Sequence, residues 1–132
     1  MPTDKPRTKV FADARAALEG LTRNGMTVMS GGFGLCGIPE NLILALRDSG
    51  ARDLTVVNNN AGNADTGLAA LLATKRVRKI ICSFPRQTDS WVFDALYRAG
   101  GIELELVPQG NLAERIRAAG AGIGAFYTPT GY

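Results

Sequence analysis

The sequence predicts an α/β fold, an open and mostly parallel sheet with helices on both faces. Two observations carry that prediction. Short apolar runs alternate with segments of helical periodicity, and each apolar run ends in a cluster of glycine, amide or hydroxyl residues. The 132 residues are one domain's worth of material and contain no internal repeat or low-complexity linker.

Met1 to Lys9 is polar and proline-bearing and reads as a flexible leader, which leaves 10–132 as the domain. Val10, Ala14, Ala17, Leu18 and Leu21 recur at helical spacing, with Gly20 as a stop. Asn24-Gly25 turns the chain into a first strand, Met26 to Met29, and the stretch SGGFGLCGIPEN follows from Ser30. Pro39-Glu40-Asn41 opens a second helix that runs through Arg47. Proline suits a first turn, where its missing N–H is not needed, and Glu40 favours the positive end of the helix dipole. Ser49-Gly50 closes that helix. Leu54 to Val57 is the second strand, ending in Asn58-Asn59-Asn60-Ala61-Gly62.

Leu68 to Ala73 reads as a short helix and Val77 to Cys82 as the third strand, broken by Ser83-Phe84-Pro85. Asp89 to Arg98 is helical up to Gly100-Gly101. In the fourth strand, Ile102 to Val107, the residues Ile102, Leu104 and Leu106 share one side and Glu103 and Glu105 the other. That alternation puts one side near solvent or a partner, whereas the earlier strands read as buried on both sides. Pro108-Gln109-Gly110 is a turn, and Asn111 is the expected cap of a helix over Leu112 to Ala119. Gly120 to Tyr132 is glycine-rich and apolar without periodicity. Such an ending, beside so modest a sheet, makes the chain read as a fragment of something longer.

Composition narrows the function. The net charge is only +3, and the one dense basic group, Lys75 to Lys79, leads directly into an apolar strand, so no nucleic-acid surface is expected. No apolar run approaches the ~18–20 residues that cross a bilayer, and no signal pattern opens the chain, so no membrane and a cytoplasmic location are expected. Cys36 and Cys82 lack metal-ligand spacing, sit in apolar surroundings and read as reduced, buried thiols. The chain has no histidine, which removes Ser-His-Asp and Cys-His machinery and the common His-bearing zinc sites. No metal is expected, and any general acid or base here is a carboxylate, Lys, Tyr or Cys.

In open α/β sheets, ligands bind beyond the carboxyl ends of the strands. Here those ends are Ser30 to Gly34, Asn58 to Asn60, Ser83-Phe84 and Pro108 to Gly110, which predicts one polar, uncharged rim. The first of them contains G-x-G-x-x-G, at Gly32, Gly34 and Gly37. A dinucleotide site also needs an acid about 20 residues further on, and the end of the second strand offers only asparagines. Pro39 is an unusual start for the helix that such a site packs closely, and no Gly-Lys-Ser/Thr makes a P-loop. Bare backbone beside a row of amides suits another task, stabilising a developing oxyanion. Glu40, Glu103, Glu105 and Glu114 all read as helix-start, strand-face or helix-surface charges. The rim therefore has donors and no nucleophile.

Asn24-Gly25, the apolar strand, Gly31-Gly32-Phe33, Gly37 and Pro39 together resemble the signature of family I CoA-transferase A subunits, the 3-oxoacid CoA-transferases. Ser30 departs from it, standing where an apolar residue is usual. GIPENLI, NNAGN, SFPRQTDSWVFDALYRAG, IELELVPQGNLAERIRAAGAGIGAF and TPTGY extend the resemblance over nearly all of Asn24 to Tyr132. SFPRQ and GNLAERIRAAG are closest to the branch acting on 3-oxoadipate and succinyl-CoA, whereas GGFGLCGIPENLI is equally similar to the acetoacetate enzymes.

The resemblance implies the N-terminal part of an A subunit, its fold incomplete at the C-terminus. It implies no cofactor beyond a coenzyme A thioester as substrate and, as partner in a hetero-oligomer, a B subunit. The nucleophilic glutamate lies on that partner, so this chain is expected to be inactive alone. The glutamate attacks the acyl-CoA to give an acyl anhydride and then an enzyme–CoA thioester. Gln109 matches the oxyanion-hole glutamine. Asn59 and Asn60 match a stretch bordering the site, where they orient the glutamate or the acyl group, or else cap a strand end. Gly31, Gly32, Phe33 and Gly34 would form the wall that admits the acyl-pantetheine end. A catalytically inert binding module of the same fold is the alternative.

Overall fold

A computed structural model describes residues 8–131, so Met1 to Arg7 of the expected leader, and Tyr132, lie outside the described residues. The elements are α1 (Ala14–Leu18), β1 (Thr27–Met29), α2 (Glu40–Ser49), β2 (Leu54–Val57), α3 (Leu68–Leu72), β3 (Val77–Cys82), α4 (Trp91–Arg98), β4 (Glu103–Leu106) and α5 (Gln109–Gly120). The sheet has the order β1-β2-β3-β4, and every pairing is parallel.

That order decides where the helices go. A right-handed crossover that steps one strand in the same direction each time returns its helix to the same face. The main core follows this rule. Ile43 and Leu46 of α2, Leu68, Leu71 and Leu72 of α3, and Val92 and Phe93 of α4 all pack with the register row Val28, Val56, Ile80 and Leu104. On the opposite face, Leu112 of α5 packs with Val57, Val107 and Ile81 in a much smaller cluster. Both faces carry helix as expected, but unequally.

The uneven cover corrects the expectation that all the earlier strands are buried on both sides. β2 is buried at every residue, while β1 exposes Thr27 and Met29 at the sheet edge. β4 alternates only in part: Ile102 just before it is buried and Leu104 half-buried, as expected, but Leu106 is 61% exposed, because it lies on the edge strand beyond the main core. Its acidic side forms a ladder in which Lys79 Nζ lies 2.9 Å from both Glu103 and Glu105, and Arg115 lies 2.8 Å from Glu105. The Lys79 ammonium, and then the Arg115 guanidinium, hold the Glu105 carboxyl below its usual value. These acids are accounted for as ion pairs on a solvated face.

Two helix starts also differ from expectation. α1 begins only at Ala14, because the Asp13 side chain accepts from Ala16 N at 2.7 Å and caps the helix there. α5 begins at Gln109 with Pro108 in the cap position, and Leu112 N bonds to Pro108 O. Asn111 therefore lies inside the helix and is not its cap. Its side chain donates to Thr130 O at 2.7 Å and accepts from Thr128 Oγ1 at 3.1 Å, tying down the C-terminal segment.

The cysteines part company. Cys82 is buried on β3, and burial pushes its thiol up to about 12, while Cys36 is exposed on the glycine loop, against expectation. Of the apolar neighbours of Cys36 in sequence, Phe33 and Leu35 are exposed and Ile38 packs against the core, so the loop covers one side of itself only. A thiol reagent at about pH 8 should therefore modify one cysteine rapidly in the native chain and the second only on unfolding, because the thiolate is the reactive form. Two rapid thiols would contradict the packing of β3.

Candidate active site

The four strand ends converge as the sequence predicts, and side-chain amides join them. β1 runs into the glycine loop, where Ser30 N still bonds to Val57 O at 2.9 Å. The loop then folds on itself, with Phe33 N donating to Cys36 O and Cys36 N to Phe33 O. Gly32 is at φ +115°, and a Cβ there would lie 2.4 Å from Ile38 Cγ2, so only glycine fits that bend.

Past β2 the chain stays extended enough for successive side chains to diverge. Asn58 and Asn60 reach toward the glycine loop. Asn58 Nδ2 donates to Ser30 O at 2.7 Å and to Gly31 O at 2.9 Å, and Asn60 Nδ2 donates to Gly34 O at 3.1 Å. Asn60 Oδ1 accepts from Gly62 N at 2.7 Å, and the residue is only 1% exposed. Asn60 thus clamps the loop, and both ends of its amide are bonded within the protein. Gly31 and Gly34 are held by these amides and Gly32 lies between them, while Phe33, 74% exposed, projects from the loop.

Asn59 reaches the other way. Its Nδ2 lies 2.9 Å from Ser83 Oγ at the end of β3 and 3.0 Å from Gln109 Oε1 at the start of α5. Ser83 Oγ donates to the same Gln109 oxygen at 2.6 Å. The backbone is locked in parallel, since Ser83 N and Phe84 N both donate to Asn59 O. Gln109 Oε1 thus has two donors, and Gln109 Nε2 makes no hydrogen bond among the described residues.

Gln109 is the first residue of a twelve-residue helix, so the free N–H groups and positive dipole end of α5 lie beside its amide. A free carboxamide N–H₂ next to a helix start can donate to an oxygen that gains negative charge during a reaction. Among the described residues, no carboxylate takes part in the hydrogen bonds that join this rim.

The structure brings together Gly31, Gly32, Phe33, Gly34, Asn59, Asn60 and Gln109, and it adds two residues that sequence reasoning did not single out. Ser83 and Asn58 link the strand ends. The signal for Asn58 was the alternation within Asn58-Asn59-Asn60, which sends the outer two side chains one way and the middle one the other. Ser83 had only its position after a strand.

The family model described as coenzyme A transferase matches residues 11–132. Over 124 residues the chain is 64% identical to the A subunit of 3-oxoadipate CoA-transferase from Pseudomonas putida, covering 94% of this chain and 53% of that one. It is 57% identical to the A subunit of succinyl-CoA:3-ketoacid coenzyme A transferase from Xanthomonas campestris, covering 94% of this chain and 50% of that one. The chain therefore spans about half the length of these relatives. Among solved structures, the acyl-CoA transferase YdiF of Escherichia coli O157:H7 superposes with a TM-score of 0.64 at 26% identity, over 89% of this chain and 25% of that one.

Proposed function

Because the chain belongs to the coenzyme A transferase family, we propose that it supplies the oxyanion-stabilising half of an acyl-CoA transfer site, completed by a B subunit that carries the nucleophilic glutamate. The observation that carries this reading is the Gln109 carboxamide, with its oxygen held by Asn59 and Ser83 and its Nε2 left to donate. In the proposed cycle the partner's glutamate attacks the thioester carbonyl, whose oxygen becomes negative within reach of Gln109 Nε2. Coenzyme A thiolate leaves to give an acyl–glutamyl anhydride. The thiolate then attacks the glutamyl carbonyl, releasing the acid and forming the enzyme–CoA thioester. The acceptor acid reverses these steps, so the reaction needs no metal or redox cofactor.

3-Oxoadipate as acceptor is supported by the name of the 64% identical relative, and succinyl-CoA as donor, with a 3-oxoacid as acceptor, by that of the 57% identical one; acetoacetate is the alternative acceptor. No helix among the described residues is long and apolar enough to cross a membrane. The cytoplasm, where coenzyme A thioesters are made and used, is the proposed location.

The test is to combine the chain with a B subunit, then follow CoA transfer from succinyl-CoA to each acid. Transfer is expected only with both chains present, and faster to 3-oxoadipate than to acetoacetate. Turnover by the chain alone would overturn the half-site reading. Binding to the B subunit without turnover would leave an inert module of the same fold.

A further inference from the structure

We propose that Ser83 is the positioning residue of this site: its hydroxyl, acting with the Asn59 amide, fixes the Gln109 carboxamide with oxygen inward and Nε2 outward. The proposal rests on the reading of Gln109 as the oxyanion donor. The two ends of a carboxamide have nearly the same shape and opposite chemistry. Only the N–H₂ end favours an oxyanion, while the oxygen end repels it. Gln109 is exposed and projects from the first turn of α5, so nothing but hydrogen bonding decides which end faces the substrate.

The bonding is closed in one sense. Asn59 Nδ2 has two hydrogens, directed at Ser83 Oγ (2.9 Å) and Gln109 Oε1 (3.0 Å). Ser83 has one; Asn59 O lies within reach at 3.2 Å, but the much shorter contact, 2.6 Å, is to Gln109 Oε1. Both lone pairs of that oxygen are then filled. Rotating the Gln109 amide by half a turn would place its N–H₂ against the N–H₂ of Asn59, two donors with no acceptor between them. Asn59 is itself held, being 9% exposed and bonded through its backbone oxygen to Ser83 N and Phe84 N. Ser83 therefore contributes the closest contact, from the end of a strand that packs rigidly in the sheet. A residue next to the reacting oxygen is thus oriented by one that need not touch the substrate.

The test uses the two-chain assembly and compares Ser83→Ala, Ser83→Thr, Gln109→Ala and the double variant Ser83→Ala/Gln109→Ala. Ser83→Ala is expected to lower kcat by about tenfold with KM nearly unchanged, and Ser83→Thr, which keeps the hydroxyl, to restore most of the loss. In the Gln109→Ala background, removing Ser83 should add almost nothing, because residues that act as one unit are not additive. An equal loss in both backgrounds would overturn the proposal, as would a Thr variant no better than Ala. A second measurement is independent of turnover. The side-chain amide of Gln109, observed by ¹⁵N NMR in the unmodified chain, should be ordered, and it should become mobile and solvent-averaged in Ser83→Ala. An amide equally mobile in both would refute the pinning. An assembly with no transferase activity would sink the functional reading alone, and the amide measurement would still decide the role of Ser83.

Discussion

Replacing Gln109 by alanine is expected to lower kcat for CoA transfer by about 10²–10³-fold, ~3–4 kcal/mol of transition-state stabilisation, as for other oxyanion donors. Assembly and stability should be nearly untouched. Gln109 is exposed and contributes nothing to either apolar cluster, and alanine is a good helix former at the start of α5. The Asn59 and Ser83 donors that lose their acceptor lie at the rim, where water can replace it. Gln109→Glu sharpens the test. Its carboxylate keeps an acceptor for Asn59 and Ser83 but sets a negative charge where the donor stood, so the loss should be at least as large as with alanine. Steady-state kinetics of the assembly check both variants, and an unchanged kcat would reduce Gln109 to a helix-start residue.

Gly62→Ala is expected to destabilise the chain by about 2–5 kcal/mol, a large share of the ~5–15 kcal/mol that holds a typical domain together. Two effects add. Gly62 is at φ +85°, where an L side chain costs about 1–2 kcal/mol. A Cβ there would also lie 2.2 Å from the backbone nitrogen of Ala69 and 2.9 Å from its Cβ, and α3 has no room to withdraw from the core. Overpacking of that kind costs typically about 1–3 kcal/mol. The control is Gly25→Ala, at φ +73° with nothing within 4 Å of its would-be Cβ, which should show the conformational part alone. Urea unfolding followed by circular dichroism separates them, and equal midpoints for the two variants would remove the close approach of Gly62 to α3. Because Gly62 N bonds to Asn60 Oδ1, and Asn60 Nδ2 to Gly34 O, the same substitution should also disturb the glycine loop.

Much of this was legible in the sequence, for identifiable reasons. β2 and β3 match the predicted spans because each is rich in β-branched residues and runs into a turn segment. The polar rim was legible because four unrelated turns all lacked charge. What was hidden depends on strand order and on side-chain direction. The spacing of strands and helices is the same whether crossovers alternate in direction or repeat, so the one-sided placement of α2, α3 and α4 was not available until the order β1-β2-β3-β4 was known. Gln109 in a turn and Gln109 opening a helix look alike in sequence, since Pro108 is compatible with both. The catalytic role proposed for it came from the resemblance and not from the residue type. Cys36 misled because apolar neighbours in a glycine-rich loop are a poor sign of burial.

The Asn59–Gln109 bond joins positions 50 residues apart. No local segment can form it, and it closes only after β3 has docked on β2, β4 on β3, and α5 has folded back across the sheet. Long-range closures of this kind come late in folding, since chain entropy is lost before the contact repays it. They also open early. α5 and the end of β4 rest on the small cluster of Val57, Val107 and Leu112, whereas α2, α3 and α4 share the main core. Local opening of that corner takes less free energy than global unfolding. On warming, the oriented amide is therefore expected to be lost while most of the sheet stands, so the proposed competence for acyl transfer should fade below the temperature at which the fold itself melts.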